Sequence, residues 1–188
     1  MVAFVNRTEE LTRLRELYSS DAAELAVIFG RRRLGKTELV KESLTEYDDA
    51  IVYQAKQKTS ELQLQQFIET AAESYPGVRR IRETWDDILD YLADQDAIVV
   101  LDEFPYLVEQ DESLPSVLQA MFDHELDESA ATFVLVGSSI SMMEDAALLG
   151  DSPLYGRSSL KLDVRQLPFD AAMAFFDDAY SPTEQVLT

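Results

Sequence analysis

The chain has no cysteine and a single histidine, His124. The first absence excludes disulfides, cysteine-ligated zinc, iron–sulfur clusters and cysteine nucleophiles. The second leaves no set of imidazoles for a metal site and little room for a histidine-dependent triad. Long apolar runs are missing too. The longest are Leu25 to Phe29, Ala97 to Leu101 and Phe133 to Val136, far short of the ~20 residues a membrane helix needs. Met1 to Arg7 lacks the charged-then-apolar pattern of a signal peptide. The expectation is a cytoplasmic protein with no membrane contact.

Positive charge is scarce. Sixteen Lys and Arg face 36 Asp and Glu, for a net charge of −20, and only five of the bases are lysine. Self-repulsion of that size opposes a compact state in dilute buffer. Salt relieves it, because the Debye length falls to roughly 3 Å at 1 M. The acids are spread along the chain rather than gathered in a tail. Such a composition resembles cytosolic proteins of salt-in halophiles, a haloarchaeal type; the plainer alternative is an ordinary acidic protein or an acidic partner-facing surface.

What is present is enough apolar material for a core, 46% of 188 residues. That length holds one domain, or one domain with a fragment of a second. Asn6-Arg7-Thr8-Glu9 reads as a capping box, with Asn6 as N-cap, ahead of Leu11, Leu14, Leu17 and Tyr18 at helical spacing. Strands are expected at 25–29, 50–53, 97–101, 132–136 and 160–164, the last alternating in polarity as at a sheet edge. Helices are expected between them, at 37–44, around Leu62 to Tyr75, from Trp85 to Leu92 and at 114–126, with a last one opening at Pro168. Strand–helix alternation with centrally buried strands predicts an α/β fold, a parallel sheet covered by helices on both faces. There is no internal repeat and no low-complexity linker.

The strongest motif is Gly30-Arg31-Arg32-Arg33-Leu34-Gly35-Lys36-Thr37, followed by Glu38. It fits G-x-x-x-x-G-K-[ST] between a strand and a helix. Glycines let the backbone turn tightly and bring N–H groups to phosphate oxygens. The helix aims its positive end at the same anion. Lys36 is expected to reach the β- and γ-phosphates, and Thr37 to offer its hydroxyl to Mg²⁺. A second signal is the apolar run into Asp102-Glu103. Ligands of open α/β sheets sit at the carboxyl ends of the strands, so Asp102 is expected to hold Mg²⁺ and Glu103 to polarise an attacking water. A third strand ends in Gly137-Ser138-Ser139. Ser138 or Ser139 either senses the nucleotide or caps the following helix.

These segments carry a family resemblance. Phe4 to Arg7 with Glu9-Glu10-Leu11, Gly30 to Thr37, Trp85, Leu101 to Leu107, Gly137 to Met143, Pro153-Leu154-Tyr155-Gly156-Arg157 and Leu167-Pro168-Phe169 are similar, in order and spacing, to the archaeal ATPase family. That family lies within the STAND/AAA-related phosphate-loop ATPases. The resemblance spans nearly the whole chain. It implies a three-layer phosphate-loop NTPase of the ASCE/AAA-like kind, with five parallel strands in the order 5-1-4-3-2. It implies an ATPase core at 1–167, an adenine pocket near Phe4 to Arg7, and a sensor at Ser138 or Ser139. It also gives Arg157 a place where such ATPases put an arginine on phosphate, in cis or across a homo-oligomer interface; the alternative is an ion pair with one of many nearby acids. Family members usually continue into a helical lid and a winged-helix or nuclease-like region. Here 168–188 reads as the start of a truncated lid.

The leading expectation is therefore Mg²⁺-dependent hydrolysis of ATP, carried by Lys36, Thr37, Asp102 and Glu103. The alternatives are a nucleotide-operated switch or scaffold with negligible hydrolysis, and the ATPase part of a DNA-associated regulator. ATP over GTP rests on the resemblance and on the absence of an Asn-Lys-x-Asp guanine-reading sequence. Arg31 to Arg33, like Arg79, Arg80 and Arg82, read as a phosphate-loop rim, as partners of surface acids, or as a nucleic-acid footprint. A chain of this charge is a poor binder of nucleic-acid backbone. Trp85 reads as a core anchor and His124 as exposed.

Overall fold

Side chains alternate between the two faces of a strand, so a continuous apolar run has to be covered on both sides. The computed structural model, which describes residues 7–124, 126 and 128–166, shows that arrangement. The elements in chain order are α1 (Thr8–Tyr18), β1 (Glu24–Phe29), α2 (Lys36–Ser43), β2 (Ile51–Gln54) and α3 (Ser60–Ser74). A 3₁₀ turn (Pro76–Arg80), α4 (Trp85–Ala93), β3 (Ile98–Asp102), α5 (Pro105–Gln110) and α6 (Leu114–His124) follow. Then come β4 (Thr132–Gly137), α7 (Ile140–Met143), a single π turn (Glu144–Leu148) and β5 (Leu160–Asp163).

The five strands pair in parallel in the order β2-β3-β4-β1-β5. Read from the other edge, this is the expected order 5-1-4-3-2. Leu25 and Val27 of β1 join Val99, Leu101, Phe133 and Leu135 under α3, α4 and α6. Ala26 and Ile28 join Val100, Val134 and Val136 under α1 and α2, where Leu14, Leu17, Leu39 and Val40 pack. Trp85 is 5% exposed and stacks on Phe67 with ring centroids 5.2 Å apart. β5 is an edge, and its residues alternate between buried and exposed. His124 is exposed.

Two local readings are revised. Arg7, with φ 105°, is the N-cap of α1, and its own side chain makes no cap bond. The proposed cap residue Asn6 lies outside the described residues, as do the expected lid at 168–188 and the aromatic Phe4. The six-residue α5 was not expected as a helix. It begins on Pro105, whose fixed φ suits a first helical position.

Candidate active site

Parallel strands all end on one edge of the sheet, so the turns after β1, β3 and β4 converge. Gly30 leaves β1 at φ 143°, and the loop enters α2 through Gly35 at φ 83°. Lys36, 6% exposed, folds back under its own loop. Its ammonium donates to the carbonyls of Gly30 at 2.8 Å and Arg31 at 3.1 Å. Burial pulls this ammonium below its ordinary pKa, the carboxylates of Glu103 and Asp102 push it back up, and the Arg32 guanidinium adds to the fall.

The β3 turn brings the carboxylates. Asp102, 3% exposed, accepts the Thr37 hydroxyl on Oδ2 at 2.9 Å across 65 residues of sequence. The same oxygen accepts the amide of Gln54 from neighbouring β2 at 3.3 Å, a consequence of the Gln54–Asp102 register. The other carboxylate oxygen accepts the Glu103 N–H at 2.9 Å. Glu103 sits at φ 55°, a left-handed conformation costly for a non-glycine residue and characteristic of functional turns. The Phe104 N–H, bonded to the Val136 carbonyl at 2.9 Å, locks this turn to β4. From the end of β4, the Ser138 hydroxyl donates to Glu103 Oε1 at 2.7 Å. Ser139 occupies the N-cap of α7 with no side-chain cap bond.

These groups line a cavity of about 270 Å³, walled by Arg32, Arg33, Gly35, Lys36, Thr37, Glu38, Glu103 and Ser138. Two anionic groups face three cationic ones there. A second cavity of about 350 Å³ lies on the other side of the loop and receives Gly30, Arg31 and Leu34, with Asp163, Val164 and Arg165 at the exit of β5. Arg7, 8% exposed, braces this region: its guanidinium donates to the carbonyls of Leu34 at 3.0 Å and Arg165 at 2.9 Å. Arg157 does not line either cavity. It forms a bidentate pair with Asp123 of α6, both bonds 2.7 Å, and donates to the Pro153 carbonyl. That pair holds the Asp123 carboxyl below its usual range and raises the guanidinium.

Sequence reasoning missed three participants. Gln54 and Tyr106 touch site residues directly, and Gln63, fully buried, ties Tyr53, Lys56 and Tyr106 together. A glutamine inside the apolar stripe of α3 was the available signal for Gln63.

Thr37 and Asp102 present only oxygen donors, a set that suits a hard divalent cation. Among the described residues no cluster of three or more His, Cys, Asp or Glu could cage a metal unaided. That fits Mg²⁺, which takes one or two protein oxygens and completes its shell with phosphate and water. Among the described residues no helix is long and apolar enough to cross a membrane.

The model of an ATPase domain found predominantly in Archaea matches residues 4–186. An uncharacterized protein of Methanocaldococcus jannaschii is 36% identical over 176 residues, 94% of this chain and 39% of the relative. An uncharacterized ATP-binding protein of the same organism is 48% identical over 44 residues, 23% of this chain and 75% of its own. Among solved structures, a Walker-type ATPase of Pyrococcus abyssi superposes with a TM-score of 0.72 at 22% identity, covering 92% of this chain and 57% of that one. Cdc6p of Pyrobaculum aerophilum gives 0.58 at 16% identity, covering 96% and 54%. The two structures share the fold, and this chain spans about two fifths of the first M. jannaschii relative and little more than half of the two solved chains. With the family model matching nearly end to end and the phosphate loop set beside Asp102 and Glu103, the chain belongs to the ATPase domain family found predominantly in Archaea.

Proposed function

We propose that this chain binds Mg-ATP at the loop and hydrolyses it to ADP and phosphate. The observation that carries the reading is the meeting of Lys36, Thr37, Glu103 and Ser138 around one cavity, with Asp102 bonded to Thr37 behind it. Loop N–H groups, the α2 N-terminus and Lys36 bind the β- and γ-phosphates. Thr37 and Asp102 would hold Mg²⁺, which, when bound, neutralises charge on the phosphates. Glu103 orients a water and takes its proton. The water oxygen bonds to the γ-phosphorus as the bond to the β–γ bridging oxygen breaks, and that electron pair leaves on ADP. Catalysis is then mainly positioning and charge stabilisation. Arg7, Arg31 and Leu34 sit where they can support the nucleoside end, and Arg157 is assigned to the ion pair with Asp123 unless a partner subunit draws it away.

A second reading has its own support. The Ser138 hydroxyl occupies Glu103 Oε1 at 2.7 Å, so the base is engaged before any water arrives. If that bond persists with ATP bound, the chain is a nucleotide-operated switch with negligible hydrolysis.

Equilibrium binding of a fluorescent ATP analogue, with and without Mg²⁺, tests the shared premise. Wild type should bind with Mg²⁺, Lys36→Ala should lose at least ten-fold in affinity (about 1.4 kcal/mol), and Asp102→Asn should lose the Mg²⁺ dependence. Equal binding by all three proteins would remove the site from consideration.

A further inference from the structure

The loop carries three consecutive arginines, and the fold gives each a different place. Arg31 faces the second cavity with Asp163 and Arg165. Arg33 lines the phosphate cavity from a left-handed backbone, φ 65°. Arg32 lines the same cavity, and its guanidinium is held: Nη2 donates to the Tyr106 hydroxyl at 2.8 Å. We propose that Arg32 is a catalytic residue supplied in cis, contacting the γ-phosphoryl group as it transfers, and that Tyr106 is the positioning residue that aims it.

Tyr106 lies on the first turn of α5, and its N–H donates to the Glu103 carbonyl at 2.9 Å. The residue that holds Arg32 and the carboxylate that faces the cavity thus share one turn of backbone. The Tyr106 carbonyl accepts the Gln63 amide at 3.1 Å. Gln63 has no exposed surface, and its Oε1 accepts the Tyr53 hydroxyl and the Lys56 N–H, both at 3.2 Å. Both acceptor sites of the Gln63 oxygen and one of its amide hydrogens are thus bonded, and a buried network of this kind is rigid. Tyr106 is therefore a fixed post, set by α3, the end of β2 and the Glu103 turn, and not a mobile surface tyrosine.

The held group suits the task. A guanidinium has five N–H donors in a planar fork and stays charged at any working pH. The Tyr106 hydroxyl takes one donor and leaves four. Negative charge spreads over the three equatorial oxygens of the transferring group, and a cation already aimed there needs no reorganisation during the reaction. ADP lacks those oxygens, so its affinity is indifferent to Arg32.

This inference rests on the hydrolytic reading, and the experiment separates the two. Arg32→Ala, Tyr106→Phe and the double variant are compared with wild type for kcat and KM with Mg-ATP, and for Kd with Mg-ADP alone and with Mg-ADP plus aluminium fluoride, a mimic of the transferring group. Arg32→Ala should lower kcat by about 10²–10³-fold, the scale for losing one aligned donor. Tyr106→Phe should lower it by about 5-fold, the worth of one hydrogen bond, with the fluoride complex weakened in parallel and Kd for ADP unchanged. The double variant should match Arg32→Ala, since Tyr106 acts through Arg32. A Tyr106→Phe defect that persists undiminished without Arg32, or equal weakening of ADP and the fluoride complex, overturns the proposal. If wild type does not turn over, the hydrolytic reading falls and the catalytic role of Arg32 with it, and the affinity ratio of γ-thio-ATP to ADP decides whether Arg32, aimed by Tyr106, contacts the γ-phosphate. A ratio lowered by both single variants supports it; an unchanged ratio refutes it.

Discussion

Replacing Gly30 by alanine should unfold this domain far more readily than replacing Gly35, although both glycines belong to one G-x-x-x-x-G-K-T motif. At Gly30 the backbone has φ 143°, and an added Cβ would lie 2.3 Å from the Val164 carbonyl oxygen and 3.2 Å from its carbon. Val164 cannot step aside cheaply, because its own N–H is bonded to the Phe29 carbonyl at 2.8 Å, the last rung between β1 and β5. Backbone strain of this kind costs about 1–3 kcal/mol, and overpacking costs about 1–3 kcal/mol more. The sum, about 4 kcal/mol, lowers Tm by roughly 8–16 °C in a domain of this size, where each kcal/mol shifts it by about 2–4 °C. At Gly35, φ is 83° and nothing lies within 4 Å of the added atom. The left-handed conformation alone costs about 1–2 kcal/mol, a shift of roughly 2–8 °C. Both variants should be melted without nucleotide, so that ligand binding does not enter the comparison. A Gly30→Ala protein melting within 3 °C of wild type, about 1 kcal/mol, or below which Gly35→Ala falls, would refute the close approach of the loop to β5.

Three further outcomes follow from other parts of the molecule. Burial pushes the Tyr18 hydroxyl up to about 12, against a lowering bond from Ser43 and a raising effect of Tyr47; the folded state thus holds this proton more tightly than the unfolded chain, stability is full below pH 10, and it falls as pH rises toward 12. Tyr18→Phe should remove about 2 kcal/mol of that alkaline loss, read by urea unfolding at pH 9 and pH 11.5; identical losses in the two proteins would contradict it. Arg157→Ala and Asp123→Ala should change activity alike if the bidentate pair is the whole role of Arg157. A kcat defect confined to Arg157→Ala, rescued by mixing with a phosphate-loop-deficient subunit, would instead mark it as a cation supplied between subunits. Raising KCl from 0.1 to 2 M should raise Tm, because a net charge of −20 is then screened over a few ångströms; a flat response would show that the acids do not strain the fold.

The sheet was legible because its interior strands are β-branched runs bounded by polar turns, and 25–29, 97–101 and 132–136 fall within one residue of β1, β3 and β4. Their order was not in those runs; it came with the resemblance, since a run of apolar residues does not name its neighbour. At the site, Thr37 and Asp102 were readable as motif members, and the fold puts their oxygens 2.9 Å apart. What was not readable is contact between groups whose local sequence is unremarkable. Gln63 lies four residues before Phe67 on the buried stripe of α3, a spacing that hints at burial and does not name what the amide bonds. It is buried because Tyr106, 43 residues away, brings it a carbonyl. Tyr106 itself lies in the first turn of α5, a helix too short for periodicity to register. The capping box was misread for a similar reason: the Arg7 backbone is left-handed while its side chain is tied to Leu34 and Arg165, partners 27 and 158 residues distant.

Glu103 is proposed to activate water at the ATP site of this chain. Glu103→Gln keeps an oxygen for the Ser138 hydroxyl but cannot take a proton. Phosphate release from Mg-ATP, measured in about 2 M KCl to screen the protein's charge, is the direct test. The expected result is turnover by wild type, a fall of at least about 10²-fold in Glu103→Gln, the scale of a lost general base, and ATP binding retained in both. Wild-type turnover that survives in Glu103→Gln would contradict the assignment, and ATP binding without turnover in wild type would leave the switch.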